Sequence, residues 1–309
     1  MLLRQLEYLV ALARERHFAR AAEACHVSQP SLSAGIVKLE RDLGVPIVQH
    51  GRKYAGLTSE GEVVLRWAHR ILAESDGLRQ ELSALRGGLS GVLRLGAIPT
   101  ALTAASLVSS PFCDRHPHVR IVMESLSSRE ITRRIGEFEL DAALTYLDEV
   151  EDPGVRALPL YEERYLLLTP DDGPLAERSS VRWAEVAALP LCLLAPWMRN
   201  RRILDGFFRD AGATVVPAIE TDTVSALYAH VATHRWSSVI AHAWLYMFGV
   251  PAGMRVVRLE DPARLPRIGL VLAAQRPQAP LVRALLDVVP RLDVRGELER
   301  VLHRYLDPS

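Results

Sequence analysis

Apolar residues recur at helical spacing from the start of this chain. Leu2, Leu6, Leu9, Val10 and Ala13 share one face, and Phe18, Ala21, Ala22 and Cys25 share the next. The pattern predicts a helix, a second short helix, and a tight turn at Cys25-His26-Val27. Ser28 then stands as an N-cap, with Pro30 just inside a third helix marked by Leu32, Ile36, Leu39 and Leu43. Gly44 and Pro46 stop that helix. Two short helices around a tight turn, the second with small polar residues on its first turn, predict a helix-turn-helix. A helix that enters the major groove brings its N-terminal turn against base edges and phosphates. Gln29, Ser31 and Ser33 can hydrogen-bond there, with Ser28 and Pro30 shaping the same turn. Ile47–His50 reads as a strand, Gly51-Arg52-Lys53 as a basic turn, and Ala55–Thr58 as a return. The expectation is a two-stranded wing whose Arg52 and Lys53, together with Lys38 of the third helix, reach backbone phosphate.

From Ser59 to Gly87 there is no proline, and Val64, Ala68, Ile71, Ser75, Leu78, Leu82 and Leu85 follow a 4-3 alternation. A helix of this length spans about 40 Å, more than a sixty-residue domain covers. The stripe calls for a partner, and the same helix of a second copy is the economical one. Gly87-Gly88 and Ser90-Gly91 follow as a hinge. Strands and helices then alternate: strands over 92–97, 119–125 and 141–146, helices over 103–116 and 130–138. Further strands are expected at 163–169, 191–195, 215–220, 238–241 and 266–273, and helices at about 280–290 and 297–306. Alternation of this kind predicts an α/β fold with mostly parallel strands, here in two lobes joined by two crossings.

Composition refines this picture. With 49% hydrophobic and 24% charged residues the chain is globular, and its formal net charge is zero. Residues 1–58 hold 8 Lys and Arg against 5 Asp and Glu, a net of +3 that leaves −3 for the remainder. A nucleic-acid partner is therefore met by a local face. Cys25, Cys113 and Cys192 are far apart and make no CxxC or zinc spacing, which suits a reducing compartment. No signal peptide is evident, and the apolar stretch around 224–250 carries His230, His234, Arg235 and His242. A cytoplasmic protein without membrane contact is expected.

The run Phe18-Ala19-Arg20-Ala21-Ala22, then Val27-Ser28-Gln29-Pro30-Ser31-Leu32-Ser33, Ile36, Leu39-Glu40, Leu43-Gly44-Val45-Pro46 and Leu57-Thr58-Ser59-Glu60-Gly61 closely resembles the LysR-type transcriptional regulators. The resemblance implies a winged helix-turn-helix over 1–58, a dimerisation helix and hinge over 59–91, and an effector-binding domain over 92–309. That domain would be a periplasmic-binding-protein-like α/β fold, lobe I at about 92–162 and 266–309, lobe II at about 163–265. It further implies a homotetrameric bacterial regulator whose partners are duplex promoter DNA, a small effector, its own copies and RNA polymerase. Several positions depart from the family pattern: His17 where a Ser often caps the second helix, Ala34, Gly35 and Val37 for more polar residues, and Val48 and His50 before the wing. Gly35 inside a helix costs about 1 kcal/mol against Ala, and close approach to DNA or to the second helix would account for it. His234-Arg235-Trp236 and Ala241-His242 stand where the family carries a Gly-x-Gly segment ending in Pro.

In α/β sheets a ligand sits at the carboxyl ends of strands, near helix N-termini. Hydroxyls stand at such ends here: Thr100, Ser127 and Ser128, Thr145 and Tyr146, and Thr223 beyond Thr221-Asp222. They form the candidate effector site and suit a carboxylate or other small anion, to which Arg199, Arg201 and Arg202 could add charge. Each hydroxyl alone also reads as a helix cap. His230, His234 and His242 lack a further ligand by spacing, so no metal is expected; no cofactor is expected either. GxGxxG, P-loop, GxSxG and HExxH arrangements are absent, so no catalytic residue is assigned. The alternatives to a carboxylate sensor are a redox- or metal-responsive regulator of the same architecture, and an enzyme with an appended DNA-binding domain.

Overall fold

The computed structural model describes residues 1–306 apart from 50–53, 87, 149–152, 176, 261, 263 and 275–276. The chain divides into two compact units: Met1–Gly91 with 136–139 and 276–283, and the rest.

The first unit opens with α1 (Leu3–Glu15), α2 (Phe18–Ala24) and α3 (Gln29–Leu43). Their apolar stripes meet in one core in which Leu6, Leu9, Leu12, Leu32 and Leu39 are fully buried, each worth about 1.5–3 kcal/mol. Local chemistry sets the ends. Gln5 Oε1 accepts the Leu2 N–H at 2.7 Å at the start of α1. Ser28 Oγ accepts the Ser31 N–H at 3.3 Å and so caps α3, and Gly44 closes it at φ +72°. His17 precedes α2 with no side-chain cap. Gly35 has a definite reason, and it is neither DNA nor the second helix. A Cβ there would stand 2.6 Å from the buried ring of Tyr8, so α3 can cross α1 only with glycine at that position. The expected two-stranded wing reduces, among the described residues, to the antiparallel bridge between Val48 and Leu57. Its tip, with His50, Gly51, Arg52 and Lys53, lies outside the described residues. α4 (Ser59–Arg86) follows, with Ala68 buried and Val64, Leu65, Ile71 and Leu72 packed on the head's core.

The second unit holds, among the described residues, three sheets. The first lobe is built from β1 (Gly91–Ala97), α5 (Ser106–Arg115), β2 (Val119–Ser125), α6 (Ser128–Gly136), β3 (Ala142–Tyr146) and β4 (Val155–Glu162). The second contains β5 (Tyr165–Pro170), β6 (Ser180–Val181), α7 (Trp183–Val186), β7 (Cys192–Leu194), α8 (Arg199–Asp210), β8 (Ile219–Thr221) and α9 (Val224–Val231). It continues through β9 (Ser238–Ala241), α10 (Trp244–Phe248) and β10 (Met254–Leu259). β11 (Arg267–Ala273) returns to the first lobe, and α11 (Pro280–Val288) and α12 (Val294–Leu306) close the chain.

The sheets run β2-β1-β3-β11-β4, β6-β10-β5-β9 and β7-β8. They are mixed, which corrects the expectation of mostly parallel strands. β11 is antiparallel to both β3 and β4, and β5 is antiparallel to both β9 and β10. The cause is the return crossing, because a strand that re-enters the first lobe from the second arrives pointing the other way. Three strands escaped the periodicity, the two-residue β6 among them. β4 has an irregular exposure pattern and β10 lies in an Arg-interrupted run, and each becomes a strand by pairing with a distant partner. The strand expected at 215–220 begins only at Ile219, and the helix expected at 103–116 is a short 3₁₀ turn followed by α5. The two crossings are tied to each other, the Glu163 N–H donating to the Pro266 carbonyl at 2.8 Å. None of the described helices is long and apolar enough to cross a membrane.

Candidate functional site

The candidate DNA-facing surface is the first turn of α3. Its apolar residues Leu32, Ile36 and Leu39 point into the core, which turns Ser28, Gln29, Pro30 and Ser31 outward; Ser33 is half-buried and Lys38 exposed. Ser28 and Ser31 hold one another, Oγ to Oγ at 2.8 Å. The side chains of Gln29 and Ser33 have no hydrogen-bond partner among the described residues. A residue that the sequence did not flag fixes the chain beyond α3. Glu40 Oε1 accepts the N–H groups of Ile47 at 2.8 Å and Val48 at 3.1 Å, pinning the wing's first strand to the helix. Thr58 completes the joint by donating its hydroxyl to the Pro46 carbonyl at 2.7 Å and accepting the Gly61 N–H at 2.9 Å.

The candidate effector residues separate into three places. Ser127 caps α6 through the Glu130 N–H at 3.2 Å, and the Thr145 hydroxyl donates to Ser128 Oγ at 3.2 Å. These join the ends of β2 and β3 to the start of α6. Thr223 is exposed in the second lobe and caps α9 through the Ala226 N–H at 3.2 Å. Tyr146 is different. Its hydroxyl donates to Glu163 Oε1 at 2.8 Å, and the Tyr165 hydroxyl donates to the same oxygen at 2.7 Å. Asn200 Nδ2 reaches Glu163 Oε1 and the Tyr146 hydroxyl, both at 3.2 Å. Thr100 lies close enough to act on the Tyr146 phenol, although its Oγ1 finds no well-directed partner. Glu163, on the crossing between β4 and β5, is thus the hub of a buried network that joins β3 of the first lobe to α8 of the second. Burial raises the Glu163 carboxyl above its ordinary range, against the hydrogen bonds from Tyr165, Tyr146 and Asn200. Sequence reasoning gave Glu163 and Asn200 no site role: Glu163 only opened an expected strand, and Asn200 stands among arginines that a solvated helical face accounts for.

Arg201 is also buried, bound to Asp205 and Glu220 at 2.8 Å each and to the Leu194 carbonyl at 2.8 Å. It holds α8 to β7 and β8. His234 takes the left-handed conformation at φ +61°, with its ring Nε2 2.7 Å from the Ala252 carbonyl. That contact explains how a bulky residue occupies a turn otherwise left to glycine.

His242 is buried, its ring Nδ1 accepting the Arg164 N–H at 3.1 Å, and burial pushes its pKa down to about 4. An unfolded histidine titrates near 6.5, so between these values the unfolded chain binds a proton that the folded one refuses. Stability is therefore lost as pH falls from about 6.5 and levels off below about 4, by about 3 kcal/mol from this group. We expect urea unfolding of the wild type to weaken between pH 7 and pH 4.5, and the His242→Asn variant to lose clearly less over the same interval. Equal losses would mean that other groups carry the acid sensitivity.

Cys25, Cys113 and Cys192 are all free thiols. Burial pushes Cys192 up to about 11, and burial followed by Glu7 raises Cys25. Both changes suppress the reactive thiolate. Among the described residues no group of three or more His, Cys, Asp and Glu is placed to hold a metal.

Comparison with known proteins matches residues 3–62 to the family model for "Bacterial regulatory helix-turn-helix protein, lysR family". Residues 86–292 match the model for "LysR substrate binding domain". The SDS degradation transcriptional activation protein of a Pseudomonas species is 33% identical over 304 residues, covering 95% of this chain and 97% of that protein. The DNA-binding transcriptional dual regulator OxyR of Escherichia coli is 33% identical over 214 residues, 69% of this chain and 70% of that protein. Among solved structures, a variant of full-length OxyR from Pseudomonas aeruginosa superposes with a TM-score of 0.76 at 26% identity, covering 96% of this chain and 97% of that one. Full-length CbnR complexed with its target DNA shares the fold, with a TM-score of 0.67 at 22% identity over 94% of this chain and 99% of that one.

Proposed function

This chain belongs to the LysR-type family of bacterial transcription regulators, and from that premise we propose how it reads DNA and what it senses. Two copies pair through α4, a further pairing of the effector domains making a tetramer, and each presents the first turn of α3 to the major groove. Gln29 and Ser33 read base edges, Ser28, Pro30 and Ser31 shape the approach, and Lys38 with Arg52 and Lys53 anchors phosphates. The observation that carries this reading is the outward-facing, polar first turn of α3, whose Gln29 and Ser33 side chains are engaged by no hydrogen bond among the described residues. A small effector bound between the α6 start, with Ser127, Ser128 and Thr145, and the Thr100–Tyr146 cluster, with Thr223 contributing from the second lobe, changes the arrangement of the paired heads. RNA polymerase at the same promoter registers that change. The start of α6, where Ser128 and Thr145 meet, supports a carboxylate or similar anion at that end.

The peroxide response named for several relatives stays a property of those relatives; a thiol sensor needs a stabilised thiolate, and burial pushes Cys192 and Cys25 the other way, so neither of those two is assigned that role.

The test is binding of the purified protein to its own upstream DNA and to random duplex over a range of salt. Gln29→Ala and Ser33→Ala should each cost about 1–3 kcal/mol of discrimination while the salt slope is kept. Lys38→Ala should weaken both duplexes alike and lower the log–log salt slope by about 0.9 per phosphate lost. If both kinds of variant behave identically, the division between reading and anchoring is wrong.

A further inference from the structure

We infer that the effector carries an ammonium group, bound by Glu163 and Asn200 within the tyrosine-lined core between the two lobes. This rests on the effector reading above and specifies the end of the ligand opposite the α6 start.

Three donors, from Tyr146, Tyr165 and Asn200, all converge on Glu163 Oε1. Glu163 Oε2 is buried and has no partner among the described residues. The orientation of Asn200 is fixed by its two Nδ2 bonds, which leaves its Oδ1, an acceptor only, buried and unpartnered as well. Two further oxygens of the cluster, Thr100 Oγ1 and the Tyr161 hydroxyl, are in the same condition. Tyr161 is near enough to Glu163 for that charge to raise its phenol, after burial itself. Buried polar atoms are almost always satisfied, and each exception calls for a partner.

The character of that partner follows from the set. Asn200 Oδ1 can only accept, Glu163 Oε2 accepts once a cation offsets the burial that holds its carboxyl up and lets it ionise, and the other two are hydroxyls able to accept. An ammonium has three donors and no acceptor. No Arg, Lys or His is among the groups acting on Glu163, so among the described residues the carboxylate has no cation of its own, whereas buried charges are normally paired. A carboxylate at this end would instead meet Glu163 as a like charge. The two ends of the site thus select different groups, an anion at the start of α6 and an ammonium at Glu163, a combination met by amino acids.

The test uses the full-length protein and matched pairs of small molecules, followed by thermal shift and calorimetry. The common α-amino acids, ethanolamine and putrescine form one series; the corresponding hydroxy acids, with acetate and benzoate, form the other. We expect at least one amino acid or amine to raise the melting temperature and its hydroxy counterpart to bind at least tenfold more weakly. Glu163→Gln, which keeps shape but removes the charge, should abolish that preference. The wild-type comparison of matched ligands stands even if the variant folds poorly. Carboxylates and hydroxy acids that bind as well as amino acids would overturn the ammonium assignment and leave the anion site intact. Amines that bind Glu163→Gln as tightly as the wild type would overturn it too. If no member of either series shifts the protein, the ammonium and the anion assignments fall together.

Discussion

Leu78→Asp combined with Leu82→Asp should turn the protein into a monomer and weaken its binding to promoter DNA by about 10²–10⁴-fold. The head covers only the first part of α4, where Ala68 is buried and Val64, Leu65, Ile71 and Leu72 pack on its core. Beyond Ser75 the stripe has no such cover. Leu78 is 61% exposed, Leu82 46% and Leu85 84%. Other faces of the same stretch are engaged, Gln80 accepting the Leu281 N–H at 3.2 Å and Glu81 pairing with Arg283 at 3.0 Å, so the leucines are left over by an ordered helix. Paired with the same stripe of a second copy they bury apolar surface, and one carboxylate per turn at that seam makes burial prohibitive. Each head alone offers few polar groups for contact, with the exposed Ala34 and Val37 on α3 in place of polar residues. The second head's binding becomes intramolecular only while the pair persists. Sedimentation gives the mass and fluorescence anisotropy the affinity. A double variant that remains a dimer, or a monomer that binds as tightly as the wild type, would place the pairing surface elsewhere.

Gly61→Ala should destabilise the first unit by about 3 kcal/mol, the upper end of what overpacking usually costs. Gly61 lies in the first turn of α4, buried against the chain that leads into the wing. A Cβ there would stand 2.1 Å from the Ile47 carbonyl oxygen and 3.0 Å from its carbon. The obstacle is backbone and cannot rotate aside. The same carbonyl accepts the Thr58 N–H at 2.9 Å, so displacing it also strains the Thr58 joint and the two N–H bonds held by Glu40. Gly206→Ala is the control. It sits in α8, where the methyl that the substitution adds would meet nothing within 4 Å, and helix propensity alone favours alanine by about 1 kcal/mol. Thermal unfolding of the two variants should separate clearly, with DNA affinity lost only for Gly61→Ala. Equal melting of both would show that the Ile47–Gly61 contact relaxes freely.

The helix-turn-helix was legible because its elements are local. The 3.6-residue periodicity of Leu6, Leu9 and Leu12, the cap at Ser28 and the stop at Gly44 are each specified within a few neighbouring residues. The same holds for the strands at 119–125 and 238–241, whose bounds coincide with the apolar runs. β4 and β10 were not legible, since their alternation is broken and they are strands only because β11 and β5 lie beside them. The antiparallel return of β11 was likewise hidden, because strand direction belongs to the path between lobes and leaves no mark in the run of side chains.

The candidate site divides along the same line. By itself the sequence determined which residues of α3 stay on its outer face, since binary patterning sends Leu32, Ile36 and Leu39 inward and leaves Gln29 and Lys38 outside. It also determined that the stripe along α4 exceeds what the head can cover. Only the tertiary structure decided that Gly35 answers to Tyr8 and Gly61 to the Ile47 carbonyl. It alone decided that Glu163, flanked by charged neighbours, ends in the core with Tyr146, Tyr165 and Asn200 on one of its oxygens. Periodicity reports what a segment does to its own neighbours; the burial of Glu163 is set by elements distant in the chain that enclose it, and a charged residue's own sequence carries no trace of that enclosure.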